Sequence, residues 1–145
     1  MSLSKVIPYF RDKMTLLGYT EWEDEFNIEN IPRSQLDSTY HIEIGLITGS
    51  EASHTCFDFD FPVTITIHSC ITNASGSSKA AEEMLEVSDN ILCSLLLLED
   101  RYSQEGFLKV TPTSVDFEPI SSSNDNVIKV RLEFGVFLKK EYRLT

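Results

Sequence analysis

The sequence is short of cysteine, of cations and of long apolar runs, and each shortage removes a class of protein. Its three cysteines, Cys56, Cys70 and Cys93, are odd in number and widely spaced. A disulfide framework needs an even, closely spaced set, so a reduced, cytosolic chain is the simplest expectation. Twelve Lys and Arg face twenty-three Asp and Glu, for a net charge of −11. A dedicated nucleic-acid grip needs clustered Lys and Arg to neutralise phosphates, and this balance argues against one. The longest apolar run, Leu95–Leu98, is far short of the ~20 residues of a membrane span. Met1–Lys5 lacks the apolar core of a signal peptide. Glycine is sparse: Gly45, Gly49 and Gly76 stand without the spacing of a phosphate-binding loop.

What is present is periodicity. Phe57, Phe59, Phe61, Val63, Ile65 and Ile67 occupy every odd position, with Cys56, Asp58, Asp60, Pro62, Thr64, Thr66 and His68 beside them. That is the period of a strand over about 55–71 with one apolar and one wet face. Similar alternation predicts strands at about 39–48 and at 128–138, and a third strand at about 107–118 interrupted by Pro112. Leu3, Val6, Ile7, Phe10, Met14 and Leu17 instead recur at steps of three and four, predicting a helix whose regular part begins near Pro8 and stops at Gly18. A second helix is predicted over about Lys79–Leu98, with Ala81, Met84, Ser88, Ile91, Leu95 and Leu98 on one side and Glu82, Glu86, Asp89 and Cys93 on the other.

The expected fold is a single α+β domain over 1–145 in the order αββαββ. It has one antiparallel sheet of about four strands, with two helices packed on one face. A proline cannot donate to a ladder, so Pro62 marks its strand as an edge, or as bulged at that point. The polar stretches containing Ser50, Ser75, Ser122, Asn124 and Asp125 read as loops, either merely mobile or reaching neighbouring subunits.

Two catalytic or metal readings fail on spacing, and a third has an equally good structural explanation. His54-Thr-Cys56 and His68-Ser-Cys70 resemble two halves of a zinc site. The unbroken odd-numbered apolar series makes one strand of them, which puts His54 and Cys70 roughly 50 Å apart. A Cys–His nucleophile pair needs an imidazole within hydrogen-bond reach, and Cys93 lies on a helix while the histidines lie near strands. Asp58 and Asp60 share a strand face about 7 Å apart, where solvated carboxylates are as good a reading as an acid–base pair. No enzyme, metal or cofactor is expected.

Charge is uneven along the chain. Residues 127–145 carry Lys129, Arg131, Lys139, Lys140 and Arg143 against Glu133 and Glu141, a net +3, leaving −14 on the remainder. Either these are solvated faces of different sign, or a basic end meets an acidic neighbour head to tail.

Two stretches carry a resemblance. One is Phe26-Asn-Ile-Glu-Asn-Ile-Pro32, followed by Leu36-Asp37 and Tyr40-His-Ile42. The other is Phe117-Glu-Pro-Ile-Ser-Ser-Ser-Asn-Asp-Asn126 leading into Val130-Arg-Leu-Glu-Phe134. With the element order and length, the chain resembles the tail terminator, or tail completion, proteins of long-tailed bacteriophages. That resemblance implies a virion protein that forms a hexameric ring with itself on the head-proximal end of the tail tube. The ring stops tube polymerisation and docks the head connector, while DNA passes through the lumen without specific binding and no membrane is involved. On that reading Glu23, Asp24, Glu25, Asp58 and Asp60 face the lumen or a neighbouring subunit. Lys129, Arg131, Lys139, Lys140 and Arg143 contact subunit or tube. The alternatives are a head–tail adaptor and a dimeric small-molecule-binding α+β module.

Overall fold

The computed structural model describes residues 3–22, 39–70, 78–95, 102–103, 106–119 and 127–141. A 3-10 turn at Leu3–Lys5 leads into helix α1, Val6–Leu16. Pro8 sits in the first helical turn, where an amide hydrogen would have no intrahelical partner anyway. Gly18 ends the helix with φ +91°; its N–H bonds Thr15 O at 3.0 Å, while Tyr19 N–H bonds Met14 O at 3.0 Å. This pair of bonds is the Schellman arrangement that glycine at this position permits.

The strands that follow are β1 (Thr20–Glu21), β2 (Thr39–Ile44), β3 (Thr48–Glu51) and β4 (Cys56–Cys70). After helix α2 (Ser78–Leu95) come β5 (Tyr102–Ser103), β6 (Gly106–Pro119) and β7 (Val127–Glu141). All seven strands form one sheet in the order β1-β2-β4-β7-β6-β5, with β3 also pairing β4. The α+β class and the four principal strands agree with the sequence reading. The strand count is higher, and the sheet is mixed, because β1 runs parallel to β2.

The helices cover one face. Val6, Phe10 and Met14 of α1 and Met84, Ile91 and Leu95 of α2 are buried against Phe61, Val63, Ile65 and Ile67 of β4 and alternate residues of β7. The Phe10 and Phe134 rings stand 5.8 Å apart, and Tyr9 Oη donates to Leu95 O at 2.7 Å, tying α1 to α2. Ser88, the polar member of the α2 stripe, donates to Met84 O at 2.8 Å and so satisfies its buried hydroxyl. Each fully buried large side chain contributes roughly 1.5–3 kcal/mol.

Two expectations are corrected, the edge reading of β4 and the loop around Ser50. β4 is an interior strand: β7 pairs it from Cys56 to Cys70, and β2 and β3 pair its other side. Pro62 is accommodated by a break in that other side. The expected strand over 39–48 leaves the ladder at Gly45 and resumes as β3 at Thr48. Gly45 N–H donates to Pro62 O at 2.9 Å. The N–H and C=O of one strand residue point to the same side, so the donor that Pro62 lacks also faces the break, and the β7 ladder loses nothing. The stretch around Ser50, expected as a loop, is strand β3 with Ser50 opposite Asp58. The hairpin tip lies one step later, where Ala52 and Ser53 N–H both bond Cys56 O.

Candidate assembly surface

The sheet face away from the helices carries the polar residues of every long strand. The register aligns them in rows: Thr66 opposite Arg131 opposite Asp116, Thr64 opposite Glu133 opposite Ser114, and Asp60 opposite Phe137 opposite Lys109. Arg131 donates to Glu118 at 2.6 Å, Ser114 Oγ donates to Glu133 at 3.1 Å, and His41 meets Glu43 at 3.2 Å. The register of β6 against β7 shifts between Pro112 and Ser114, and Thr113, the residue at the shift, bonds Glu133 O through its hydroxyl at 3.0 Å. These are exposed pairs, worth about 0–1 kcal/mol each; they order the surface more than they stabilise the fold.

The face is not wet along its whole length, as the sequence pattern implied. At the β1 end Thr39, Thr66 and His68 are buried. Burial, and after it the charge of Lys129 across the strand, pushes the His68 pKa down to about 4, so the ring is neutral at pH 7. Nearby, on the helix side, Tyr40 is fully buried with a hydroxyl that makes no hydrogen bond among the described residues. Burial first, and then Glu21, pushes its pKa up to about 12. Glu21 is held by Arg11 at 2.7 Å.

At the other end the face opens. Gly135 has no side chain, and around it lies a shallow groove of about 640 Å³ lined by Asp60, Lys109, Thr111, Thr113, Gly135 and Phe137. The groove is open to solvent along its length and cannot enclose most of a small ligand, as a dedicated pocket does.

The residues singled out in the sequence fall as follows. Asp58 and Asp60 do lie on this face. Lys139 stands opposite Asp58, and Lys109 shares the row of Asp60, so the carboxylates sit in a locally balanced patch rather than a purely acidic one. Asp58 Oδ1 is shielded from solvent without a hydrogen bond among the described residues. Of the basic set, Arg131 is already committed to Glu118, and Lys129 is half-buried beside His68. Lys139 is exposed and makes no ion pair among the described residues. Lys140 belongs by parity to the helix side of β7. Glu23, Asp24, Glu25, Ser75, Ser122, Asn124, Asp125 and Arg143 lie outside the described residues. His54 and Cys70 are at opposite ends of the β4 hairpin arm, consistent with the strand argument that separated them.

Sequence reasoning missed the most exposed apolar segment. Every residue from Glu43 to His54 is exposed, including Ile44, Leu46 (79%) and Ile47 (43%). Its signal was available: Leu46 and Ile47 are adjacent, which breaks the alternation of a strand with one buried side.

Taken together, the molecule is an α+β domain whose chemistry-bearing residues are spread over a sheet face and a sheet edge instead of converging in a cleft. No protein-family model matches the chain, and no curated protein matches it.

Proposed function

We propose that the chain is a structural virion protein that caps the head-proximal end of a long-tailed phage's tail tube as a ring, ends tube polymerisation and offers the surface on which the head connector docks. The reading rests on the resemblance of Phe26–Pro32, Tyr40–Ile42 and Phe117–Phe134 to the terminator family. The observation that carries it structurally is the exposed run Glu43–His54, which places apolar side chains and backbone in solvent along one side of the sheet. A soluble monomer usually blunts such a feature, and an assembly component uses it.

The net charge of −11 suits a ring through which DNA slides. A non-binding lumen needs the absence of a cationic surface, and on the polar sheet face the cations are matched by acids. In that role the partners are further copies of the chain, the tube protein and the connector. The test is electron microscopy of tails assembled with and without the protein. Overlong tubes in its absence support the cap. Tubes of normal length without it reject the cap and leave a head–tail adaptor, which acts after the tube is finished.

The second reading is a dimeric module that binds a small molecule; the open groove of Asp60, Lys109 and Phe137 encloses too little of a ligand to favour it over the cap. Native mass measurement separates the two: a stable dimer with a bound metabolite supports the module, and a higher ring supports the cap.

A further inference from the structure

We infer that the sheet continues from one copy of the chain to the next, the β2–β3 edge of one receiving the β6 edge of its neighbour. The inference deepens the ring reading and rests only on its self-association.

Both edges are open among the described residues. β1 covers the outer side of β2 only at Thr39–Tyr40, and β5 covers β6 only at Gly106–Phe107. Between these caps no described strand pairs the outer side of Ile42–Gly49 or of Leu108–Asp116. The exposed edge lacks two of the usual defences against strand addition, since residues 41–51 contain no lysine and no proline.

Direction then fixes how copies meet. β2 and β3 run antiparallel to β4, β4 to β7, and β7 to β6. β6 therefore runs opposite to β2 and β3. A neighbour rotated about an axis parallel to the strands presents its β6 antiparallel to β2–β3, with its helices on the same side. Such a contact is head to tail and closes into a ring if the rotation allows.

The edges also match in detail. Following the rows across the sheet, Ile42 is level with Val115, His41 with Asp116, Glu43 with Ser114 and Thr48 with Lys109. At level register the junction sets apolar Ile42 against the next copy's half-exposed Val115, and His41 against its Asp116. The ladder break at Gly45–Ile47 lies in the rows of Val110 and Thr111, next to the irregularity at Pro112–Ser114, so the two interruptions are neighbours along the junction. Charge agrees. Residues 34–78 contain no Lys or Arg but carry Asp37, Glu43, Glu51, Asp58 and Asp60, whereas the approaching edge brings the exposed Lys109 to the level of Asp60. Pairing of β2–β3 with itself sets that acidic edge against its own copy, which like-charge repulsion opposes.

The test is site-directed cross-linking of the full chain with its native cysteines replaced by serine. Directly opposed strand residues bring a cysteine pair within disulfide reach. The Glu43→Cys and Ser114→Cys variants should each stay uncross-linked alone and form a disulfide dimer when mixed; the double variant should form a ladder of higher species. In the otherwise unaltered chain, Val115→Lys should weaken self-association by roughly tenfold, equivalent to about 1.4 kcal/mol, with an unchanged circular dichroism spectrum. An unmodified chain that stays monomeric at millimolar concentration overturns the inference. So does cross-linking of Glu43→Cys to itself, which marks a two-fold contact, or self-association with no ladder. A ladder together with normal tail lengths keeps the inference and rejects the cap.

Discussion

A β-carbon on Gly45 would fall 2.5 Å from Cγ of Pro62 and 3.2 Å from its Cδ. The pyrrolidine ring has no rotamer to yield by, so the two residues are complementary: the ring occupies the space that glycine leaves, and the ladder breaks where the ring has no donor. Gly45→Ala is expected to cost about 1–3 kcal/mol, the range of overpacking in a tight contact. Pro62→Ala removes the obstacle, so Gly45→Ala should cost much less in the Pro62→Ala background. A double-mutant cycle by urea unfolding measures the coupling; additive losses would show that the steric pairing is not the reason for glycine here.

Along β4 the same alternation has two different outcomes. Its odd side chains from Phe61 to Ile67 are buried in the core with the helices, with Phe59 partly so, and that was legible in the sequence, because a six-residue apolar series at period two admits little else. The even side was read as wet from end to end, and His68 and Thr66 contradict that. Period two states which side chains share a face, and says nothing of what covers the second face. The interior position of β4 was hidden for a related reason. Pro62 argues for an edge only if every neighbouring residue is in the ladder, and a break of three residues in the neighbour removes the conflict. The assembly surface was half legible: the charged rows of β7 follow from alternation, but their partners in β6 depend on the irregularity after Pro112, which composition does not place.

The buried end of β4 makes stability depend on acid. His68 is neutral in the fold with a pKa of about 4, and an unfolded histidine titrates near 6.5. Because the folded value is depressed, the unfolded chain binds the proton first. Stability is therefore complete above pH 6.5 and declines as pH falls toward 4. Between pH 7 and 4.5 the loss from this one ring is about 2–3 kcal/mol. Unfolding of the wild type and of His68→Gln at both pH values isolates it from the carboxylates, and the variant should lose less by about that amount. Equal losses would assign the acid response to other groups.

At the scale of the whole molecule, attraction and repulsion act over different distances. Each copy carries −11, so copies repel at long range. The contact inferred between them depends on backbone pairing, on Ile42 and Val115, and on few charge pairs, such as His41 with Asp116 and Lys109 near Asp60. Salt reaches the long-range term first. The Debye length is about 30 Å at 0.01 M and about 8 Å at 0.15 M, so added salt screens the net repulsion while short contacts persist. Self-association is therefore expected to strengthen as ionic strength rises through that range, which sedimentation velocity at a fixed protein concentration would record. Association that weakens with salt would mean that local ion pairs outweigh the net charge.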